Sequence, residues 1–299
     1  MTAGPLFFPD DAIKASSWPA PAKLNLFLRI LGRRSDGLHN LQTVFQLLDW
    51  GDSVQLGVRA DGVIRRRGGG TADIPEAQDL IVRAAKLLQA TSGCRLGADV
   101  AVTKRIPRGG GFGGGSSDAA TVLVGLNQLW NLQMDPARLA RLGATLGADV
   151  PVFIHGENAW AEGIGEQLTS IQLPPSWYLL VFPAAQVETR AAFADAELTR
   201  DAPPATIPDF ISGLDLGNAF EPVIRRLHPA VDAALKHLSR FGQAHLTGTG
   251  SGCFLQFQSQ GEAEAVQAGL QPGVDSRVVA AAAHSPLLDA VTASARLQV

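Results

Sequence analysis

A glycine-rich stretch at residues 107–118 contains the residue types that bind phosphate groups. Its sequence is Pro-Arg-Gly-Gly-Gly-Phe-Gly-Gly-Gly-Ser-Ser-Asp, and glycine occupies six of the seven positions from 109 to 115. Glycine allows left-handed backbone conformations and lets a ligand approach the main chain closely. A helical pattern follows at once, so unpaired N–H groups and the positive end of a helix dipole are expected where the stretch ends. These features predict a phosphate-binding loop, because a flexible linker is not normally joined to an amphipathic helix.

The whole loop is a candidate for contact with a nucleotide. The predicted nucleotide-binding residues are Pro107, Arg108, Gly109, Gly110, Gly111, Phe112, Gly113, Gly114, Gly115, Ser116 and Ser117. Ser116, Ser117 and Asp118 are residue types that cap helix N-termini, and the two serine hydroxyls could also reach phosphate oxygens or a metal. No particular metal ligand is predicted from the sequence.

The loop does not match the better-known classes of nucleotide-binding loop. A Walker loop ends in Gly-Lys-Ser/Thr, whereas this one ends in Gly-Ser-Ser. Positions 109, 111 and 114 fit the dinucleotide fingerprint, with Asp135 at a suitable distance to hold a ribose. So dense a glycine run fits several registers by chance, however, and Asp135-Pro136 indicates a helix start. Protein-kinase loops carry a following Val and a later His-Arg-Asp, which this sequence lacks.

Two further segments carry polar residues that could act on a bound nucleotide. The alternating pattern from Ala22 to Leu31 predicts a half-buried strand and places Lys23 and Asn25 on one face. That face suits joint contact with a polar ligand, although spacing alone favours an ordinary solvated face. Asp149 lies among apolar residues just past a predicted helix end, where an unpaired carboxylate would be costly. It is therefore either a structural cap or a catalytic base.

The elements that must position these residues belong to the α/β class, of the α+β type. A strand at 98–104 leads into the loop, and a helix packed on the core through one face leaves it. The other predicted elements are strands at 41–48 and 53–58, helices at 80–89 and from 135, a strand at 177–182, a short helix within 183–210, a helix at 221–241, a strand, glycine turn and strand at 244–258, a helix at 262–270 and a final strand at 278–283.

The remaining segments are expected to be irregular or exposed. Residues 1–20 are predicted to form a loose arm or short edge strand, and residues 59–73 a loop or hairpin tip with a solvated arginine patch at 65–67. A change in composition near residue 170 divides the chain into predicted domains 1–170 and 171–299.

Composition favours a cytoplasmic globular protein. The net charge of −3 and the pI near 6.1 provide no basic field, so nucleic acid is not an expected partner. Cys94 and Cys253 are the two cysteines, too few for a disulfide framework, which favours a reducing compartment. The sequence has neither a signal-peptide pattern nor an apolar run of membrane-spanning length, so no membrane contact is expected.

Three segments together resemble the motifs of the GHMP small-molecule kinases. They are Pro-Ala-Lys-Leu-Asn-Leu at 21–26, the loop at 107–118, and Leu-Thr-Gly-Thr-Gly-Ser-Gly at 246–252. The segments 32–43 and 146–153 further resemble one member of this family and are more specific than any glycine pattern. The resemblance covers nearly the whole chain.

The resemblance implies transfer of the γ-phosphoryl group of ATP, with Mg²⁺, to the 2-hydroxyl of a cytidine-diphosphate-linked methylerythritol. This reaction belongs to isoprenoid precursor synthesis by the methylerythritol phosphate pathway. The implied architecture has an N-terminal ATP-binding and catalytic domain at 1–170 and a C-terminal substrate-binding domain at 171–299, with the active site in the cleft between them. The expected partner is this small-molecule substrate, and the chain is expected to be a monomer or a homodimer.

The resemblance also assigns roles to single residues. Lys23 and Asp149 match the catalytic lysine and aspartate, and chemistry supports this, because phosphoryl transfer needs charge stabilisation and a carboxylate to accept the hydroxyl proton. The substrate contacts that it implies are Asn25, Leu38, His39 at the cytosine edge, Thr189 and the stacking ring of Phe193.

Leu38 departs from the family pattern, since the turn that usually reads Asp-Gly-Tyr-His has leucine at the third position. One aromatic face for the cytosine is thus replaced by an aliphatic one, at a cost of roughly 1 kcal/mol in stacking.

Two alternative functions stay open. A related kinase acting on a mevalonate-, homoserine- or sugar-type alcohol would share the loop but lack the 32–43 segment. A non-catalytic nucleotide-binding or regulatory protein would have lost Lys23 or Asp149, and both are present.

Overall fold

The computed structural model describes residues 14–296 of the chain. Its strands are β1 Lys14–Arg33, β2 His39–Arg59, β3 Ile64–Gly69, β4 Gly97–Thr103, β5 Ala159–Glu162, β6 Gln167–Ser170, β7 Trp177–Val181, β8 His245–Leu246, β9 Cys253–Phe257 and β10 Ser276–Ala280. Its helices are α1 Leu80–Ser92, α2 Gly114–Leu129, α3 Pro136–Ala144, α4 Val150–His155, α5 Thr189–Ala194, α6 Ile207–Ile211, α7 Glu221–Leu227, α8 Pro229–Leu238, α9 Gln260–Ala268 and α10 Pro286–Arg296.

The strands form two sheets. In the first sheet the order is β3-β4-β2-β5-β6, and β1 pairs antiparallel with β2 along most of its length. The C-terminal half of β2 pairs with β4, and its N-terminal half pairs with β5. The second sheet has the order β10-β7-β9-β8 and is antiparallel throughout. Helices and sheets therefore combine as the α+β class requires, and the predicted fold class is confirmed.

The hydrophobic cores follow from this layering. One core fills the space between the first sheet and helices α1, α2 and α4, and another lies between the second sheet and helices α7 and α8. A third cluster joins the two sheets, with Leu24 and Leu48 from the first packed against Tyr178, Leu180 and Phe254 from the second. This third cluster fixes the position of one sheet relative to the other, which is what a site built from both sheets needs.

Local sequence explains where the helices around the site begin. Asp135 caps α3 by accepting a hydrogen bond from the Arg138 amide, and proline occupies the first position of the helix. Asp79 caps α1 in the same way through the Ile81 amide, and the helix ends at Gly93 with φ of +67°. Both helix starts agree with the sequence predictions for these regions.

Two predictions for the C-terminal half are wrong, and the one for the N-terminal arm is only partly right. The helix predicted at 221–241 is two helices separated at His228, because Pro229 cannot donate the backbone hydrogen bond that would continue α7. Helix α10 follows the strand that was predicted to be the last element. In the N-terminal arm, β1 already begins at Lys14, where a loose arm or short edge strand is predicted for 1–20; residues 1–13 lie outside the described residues.

The predicted solvated arginine patch at 65–67 is wrong for Arg66 and Arg67, whereas Arg65 is exposed. All three residues lie on β3, and Arg66 and Arg67 pair with buried carboxylates. Arg66 contacts Asp79 at 3.1 Å, and Arg67 contacts Asp99 at 2.8 Å. Both carboxylates are fully buried, and a buried charge requires a partner. The arginines therefore anchor β3 and the start of α1 instead of forming a free basic surface.

The end of the chain returns to the first core. Ala282 and Leu287 are buried among residues of the first sheet and its helices, although both follow the second sheet in sequence.

No helix among residues 14–296 is long and apolar enough to cross a membrane.

Candidate active site

A cleft of about 760 Å³ lies where the two sheets meet. It is bordered by strands β1 and β2, the glycine loop, helix α5 and the turn at 248–250. The sequence-predicted residues that line it are Lys23, Asn25, Leu38, His39, Gly109, Gly111, Gly113, Gly114, Gly115, Ser116, Asp149, Thr189 and Phe193. A smaller adjoining cavity of about 160 Å³ is lined by the rest of the loop, including Pro107, Arg108, Gly110 and Phe112.

The glycine loop has an alternating backbone conformation. Gly109, Gly111 and Gly113 have φ values of +69°, +78° and +75°, in the left-handed region that favours glycine. Phe112 lies between two of these positions and does not share their positive φ, which is why a large side chain is tolerated there. Successive N–H groups in such an alternating backbone form a concave surface that binds anions.

Phe112 anchors the loop to the core that joins the sheets. Its ring is 1% exposed and packs edge-on against Phe182, with ring centroids 5.4 Å apart and an interplanar angle of 72°. The loop is also paired with the third glycine-rich motif, because Ser251 donates its amide to Gly109 and Gly252 donates to Gly110. The two glycine-rich segments therefore form one unit, although more than 100 residues separate them in the sequence.

Helix α2 begins inside the glycine run and not at the serines. Gly113 is the capping residue, so the amides of the first turn, from Gly114 to Ser116, have no carbonyl within the helix to bond. These amides face the end of the loop and carry the positive end of the α2 dipole. Ser117 is different: it is fully buried, its amide donates to Gly113, and its hydroxyl has no partner among residues 14–296. The structure does not bring Ser117 to the cleft.

A buried ionic triad lies beneath this first turn. The Lys104 ammonium contacts Asp118 at 2.7 Å and also contacts Asp52, whose other oxygen accepts the Arg105 and Ile106 amides. Burial raises the pKa of Asp118 to about 7, with Lys104 opposing the shift and Asp52 adding to it. Burial also disfavours the charge on Lys104, but Asp118 and Asp52 outweigh it and leave the Lys104 pKa raised. The triad joins β2, the end of β4 and the start of α2.

Lys23 and Asp149 form an ion pair beside the loop. The Lys23 Nζ atom lies 3.2 Å from Asp149 Oδ2, and the Lys23 side chain is 3% exposed against 35% for Asp149. The ammonium also lies over the Phe45 ring, 5.4 Å from its centroid. Asp149 occupies the cap position of α4 without making a capping hydrogen bond, so its carboxylate is available to the cleft. The alternative of a structural cap therefore lacks the contact that it requires.

Strand β1 holds Lys23 and Asn25 in a buried position, contrary to the solvated face that spacing alone favours. Each residue is 2% exposed, because the third glycine-rich motif and Asp149 cover this face. The backbone N–H of Asn25 donates to the Thr247 hydroxyl, and the backbone N–H of Lys23 donates to the Phe112 carbonyl. Both glycine-rich motifs thus bond to the strand that carries the lysine.

His39 and Phe193 lie together at the other end of the cleft. Their rings stack with centroids 5.0 Å apart at 26°, and Phe193 also meets Phe220 edge-on. Burial, assisted by the nearby cations Arg200 and Arg33, lowers the pKa of His39. Its Nε2 atom is buried and has no hydrogen-bond partner within the described part of the chain. A nucleobase cannot enter between His39 and Phe193 while these rings remain stacked. Leu38 is 49% exposed at the edge of the cleft.

Some residues of the cleft were not predicted as site residues. Thr249 lines the cleft and its hydroxyl lies 3.1 Å from that of Thr189, which ties α5 to the third glycine-rich motif. Arg190 adds a positive group, and Thr43 forms part of the wall. Thr43 and Thr249 belong to two of the segments that resemble the GHMP kinases, but no residue pattern distinguishes them from neighbouring hydroxyl residues.

Comparison with known proteins agrees with this architecture. Residues 79–157 match the family described as GHMP kinases N terminal domain, and residues 206–273 match GHMP kinases C terminal. A protein of Xanthomonas axonopodis pv. citri (strain 306) named 4-diphosphocytidyl-2-C-methyl-D-erythritol kinase is 60% identical over 275 residues, covering 92% of this chain and 93% of the relative. A protein of Xylella fastidiosa (strain 9a5c) with the same name is 59% identical over 280 residues, covering 94% of each chain.

Solved structures extend the comparison. A crystal structure of 4-(cytidine 5'-diphospho)-2C-methyl-D-erythritol kinase has a TM-score of 0.75 and 29% identity, covering 89% of this chain and 99% of that one. The homoserine kinase from Cytophaga hutchinsonii ATCC 33406 has a TM-score of 0.62 at 18% identity, covering 94% and 98%, and shares the fold. The chain belongs to the GHMP kinase family.

Proposed function

We propose that this chain transfers the γ-phosphoryl group of ATP to the 2-hydroxyl of 4-diphosphocytidyl-2-C-methyl-D-erythritol, in the methylerythritol phosphate route to isoprenoid precursors. The names of the relatives at 60% and 59% identity support this substrate. The observation that carries the chemistry is the ion pair between Lys23 and Asp149 at 3.2 Å beside the glycine loop. Because both cysteines are free thiols, the cytoplasm is the proposed compartment.

The ion pair has the groups needed for the proton transfer. The 2-hydroxyl oxygen attacks the γ-phosphorus, the bond to the bridging β–γ oxygen breaks, ADP leaves, and the hydroxyl proton passes to the Asp149 carboxylate. Lys23, held against Asp149, stabilises the negative charge that develops on the attacking oxygen. Its 3% exposure places this charge in a site of low dielectric constant, where electrostatic stabilisation is stronger than in water.

The glycine loop is the proposed triphosphate site. Its alternating backbone and the amides from Gly114 to Ser116 provide N–H donors, and the α2 dipole adds positive charge at the same place. Since Ser117 is buried, we restrict the side-chain hydroxyl contact to Ser116, which lines the cleft. Positioning of the phosphates by the backbone is the main contribution that phosphoryl transfer requires from a protein.

Mg²⁺ fits the donors present near the loop. The Ser116 hydroxyl lines the cleft beside the loop, and Mg²⁺ prefers oxygen ligands. Within residues 14–296, no group of three or more His, Cys, Asp or Glu residues could hold a metal, so phosphate oxygens and water would supply most of the ligands. When bound with ATP, the ion would neutralise charge on the phosphates.

The His39 and Phe193 end of the cleft is the proposed cytosine site. His39 is neutral near pH 7 because its pKa is lowered, so one of its ring nitrogens can accept a hydrogen bond while the other donates. The buried Nε2 atom without a partner supports such a role for this ring. The base either separates the His39–Phe193 stack or binds on its outer side, next to Leu38. Asn25 and Thr189 complete the proposed substrate contacts.

We further assign the nucleotide and catalytic groups to a domain at 1–170 and substrate binding to a domain at 171–299. The strands of the first sheet precede residue 171 and those of the second follow it, which supports this division. Helix α10 is an exception, because Leu287 packs in the first core.

A direct assay tests the proposed function. Purified protein is incubated with ATP·Mg²⁺ and a panel of alcohols that includes 4-diphosphocytidyl-2-C-methyl-D-erythritol, mevalonate, homoserine and a hexose. We expect ADP and a phosphorylated product with the cytidine-linked alcohol and not with the others. Preference for another alcohol would show that the chain has a different activity within the family. The absence of turnover with all of these alcohols would contradict the proposal.

A further inference from the structure

Thr43 lies two hydrogen bonds away from the ammonium group of Lys23. The Lys23 Nζ atom donates to Asn25 Oδ1 at 2.5 Å, the Asn25 Nδ2 atom donates to Thr43 Oγ at 2.9 Å, and the Thr43 hydroxyl donates to the Phe27 carbonyl at 2.5 Å. Together with the Lys23–Asp149 contact, these bonds form one continuous chain from the carboxylate into the first sheet.

The donors and acceptors in this chain allow one arrangement of protons. The Phe27 carbonyl can only accept, so the single Thr43 hydroxyl proton points toward it and leaves a lone pair for Asn25. That lone pair needs a donor, which is the NH₂ group of Asn25. The carbonyl oxygen of the same amide must then face Lys23, whose ammonium can only donate. Rotating the amide by 180° would set donor against donor and acceptor against acceptor.

The strand geometry explains why the hydroxyl occupies this place. The pairing of β1 with β2 changes register between Asn25 and Leu28, and Thr43 of β2 is the register partner of Leu28. The Thr43 hydroxyl bonds to the Phe27 carbonyl within this irregular segment of β1. Thr43 borders the cleft but is 1% exposed, and its hydroxyl is committed to hydrogen bonds within the protein.

We propose that Thr43 is a positioning residue, which fixes the Asn25 amide so that Lys23 is held against Asp149. This inference rests on the proposed function for the roles of Lys23 and Asp149. Without the hydroxyl, the NH₂ group of Asn25 loses its acceptor, and the contact with the Lys23 ammonium is left to hold this side chain. A less restrained Asn25 side chain no longer fixes the Lys23 ammonium against Asp149. Phosphoryl transfer is sensitive to a misplacement of about 1 Å in such a group.

The kinetic test compares Thr43→Val, which removes the hydroxyl at nearly constant shape, with Thr43→Ser, which keeps it. For Thr43→Val we expect kcat to fall by about 10- to 100-fold while the KM for ATP changes by less than about twofold. Thr43→Ser should recover most of the loss. Thr121→Val is the matched control, because it deletes another buried threonine hydroxyl bonded to a backbone carbonyl, that of Pro19, without touching the chain to Lys23.

A double-mutant cycle tests whether Thr43 acts through Asn25. In an Asn25→Ala background the Thr43→Val change should have little further effect on kcat, whereas additive losses would overturn the proposal. Equal losses in Thr43→Val and Thr121→Val, or a Thr43→Val enzyme with normal kcat, would overturn it as well.

A crystal structure of Thr43→Val provides a readout that does not depend on the acceptor. We expect a displaced Asn25 side chain and a Lys23 Nζ atom displaced from the 3.2 Å contact with Asp149. An unchanged arrangement would overturn the positioning role even if the wild-type enzyme prefers another alcohol. A wild-type enzyme that phosphorylates none of the alcohols would contradict the proposed function and would leave this structural comparison to decide on Thr43.

Discussion

Gly111 lies so close to Thr247 that a Cβ atom at position 111 would be 2.1 Å from the Thr247 carbonyl oxygen. Its φ of +78° adds a second reason for glycine. The constraint thus comes from contact between two glycine-rich motifs of the protein, independently of any ligand. Gly115 differs, because a Cβ there would meet only the end of the Leu80 side chain at 3.4 Å, and Gly115 lines the cleft.

This contrast yields a prediction for the loop. Gly115→Val should weaken ATP binding by about tenfold or more with little loss of thermal stability, because the new side chain occupies the nucleotide side of the first turn. Gly111→Ala should instead lower the melting temperature, since it forces Thr247 away. Calorimetric titration with ATP measures the affinity of both variants, and thermal unfolding measures their melting temperatures. Normal ATP affinity of Gly115→Val would show that the first turn of α2 does not bind the triphosphate.

Asp149→Asn should abolish most turnover and preserve ATP binding. The amide keeps the shape of the side chain but cannot accept the hydroxyl proton, so we expect kcat to fall by about 10²- to 10⁴-fold. Some loss of stability is expected as well, because the buried Lys23 ammonium loses the charge of its partner, so thermal unfolding of the variant is measured alongside turnover. Asp135→Asn is the control, since asparagine caps helices as well as aspartate and α3 lies outside the proposed chemistry. Near-normal turnover of Asp149→Asn would make Asp149 a structural residue.

Phe193→Ala should weaken binding of the cytidine-linked substrate by roughly 1–3 kcal/mol, the range for stacking of a base on an aromatic ring. Leu38→Tyr should strengthen it by restoring an aromatic face beside His39. The affinity for ATP should not respond to either change. Substrate Kd values measured without turnover, with ADP in place of ATP, test this. If Phe193→Ala binds substrate normally, the ring serves only its contacts with His39 and Phe220, and the cytosine site lies elsewhere.

The triad beneath the loop predicts a pH dependence of stability. The pKa of Asp118 is raised to about 7 in the folded protein from the ordinary aspartate value of 3.8. Between these values the folded state binds more protons than the unfolded state, so the free energy of unfolding should fall as pH rises from about 5 to 8. Asp118→Asn should show a smaller fall over the same range.

Urea unfolding at several pH values measures this difference. Asp209→Asn is the control, because the pKa of Asp209 is lowered by its hydrogen bonds to Thr206, so Asp209 titrates below this range. Its effect on stability should therefore be constant from pH 5 to 8. Parallel curves for wild type and Asp118→Asn would show that Asp118 is ionised throughout, with Lys104 dominating over burial.

Elements with a local signal were predictable from the sequence. The cap at Asp135 with Pro136, the alternating strand around Lys23 and the apolar strand at 177–181 each follow from neighbouring residues, and the structure contains all three. The break at Pro229 was equally local, since proline cannot continue a helix. The family followed from the three motifs taken together, because their order and spacing are properties of the sequence.

What tertiary structure alone decided is which residues meet. Arg67 pairs with the buried Asp99, Ser117 is buried away from the cleft, and Phe193 stacks on His39. In the same way, nothing in the glycine run distinguishes Gly111 from Gly115 until Thr247 is brought beside one of them. The physical reason is that burial, ion pairing and hydrogen-bond direction depend on atoms supplied by distant parts of the chain, whereas caps, periodicity and glycine conformations depend on residues within one or two turns.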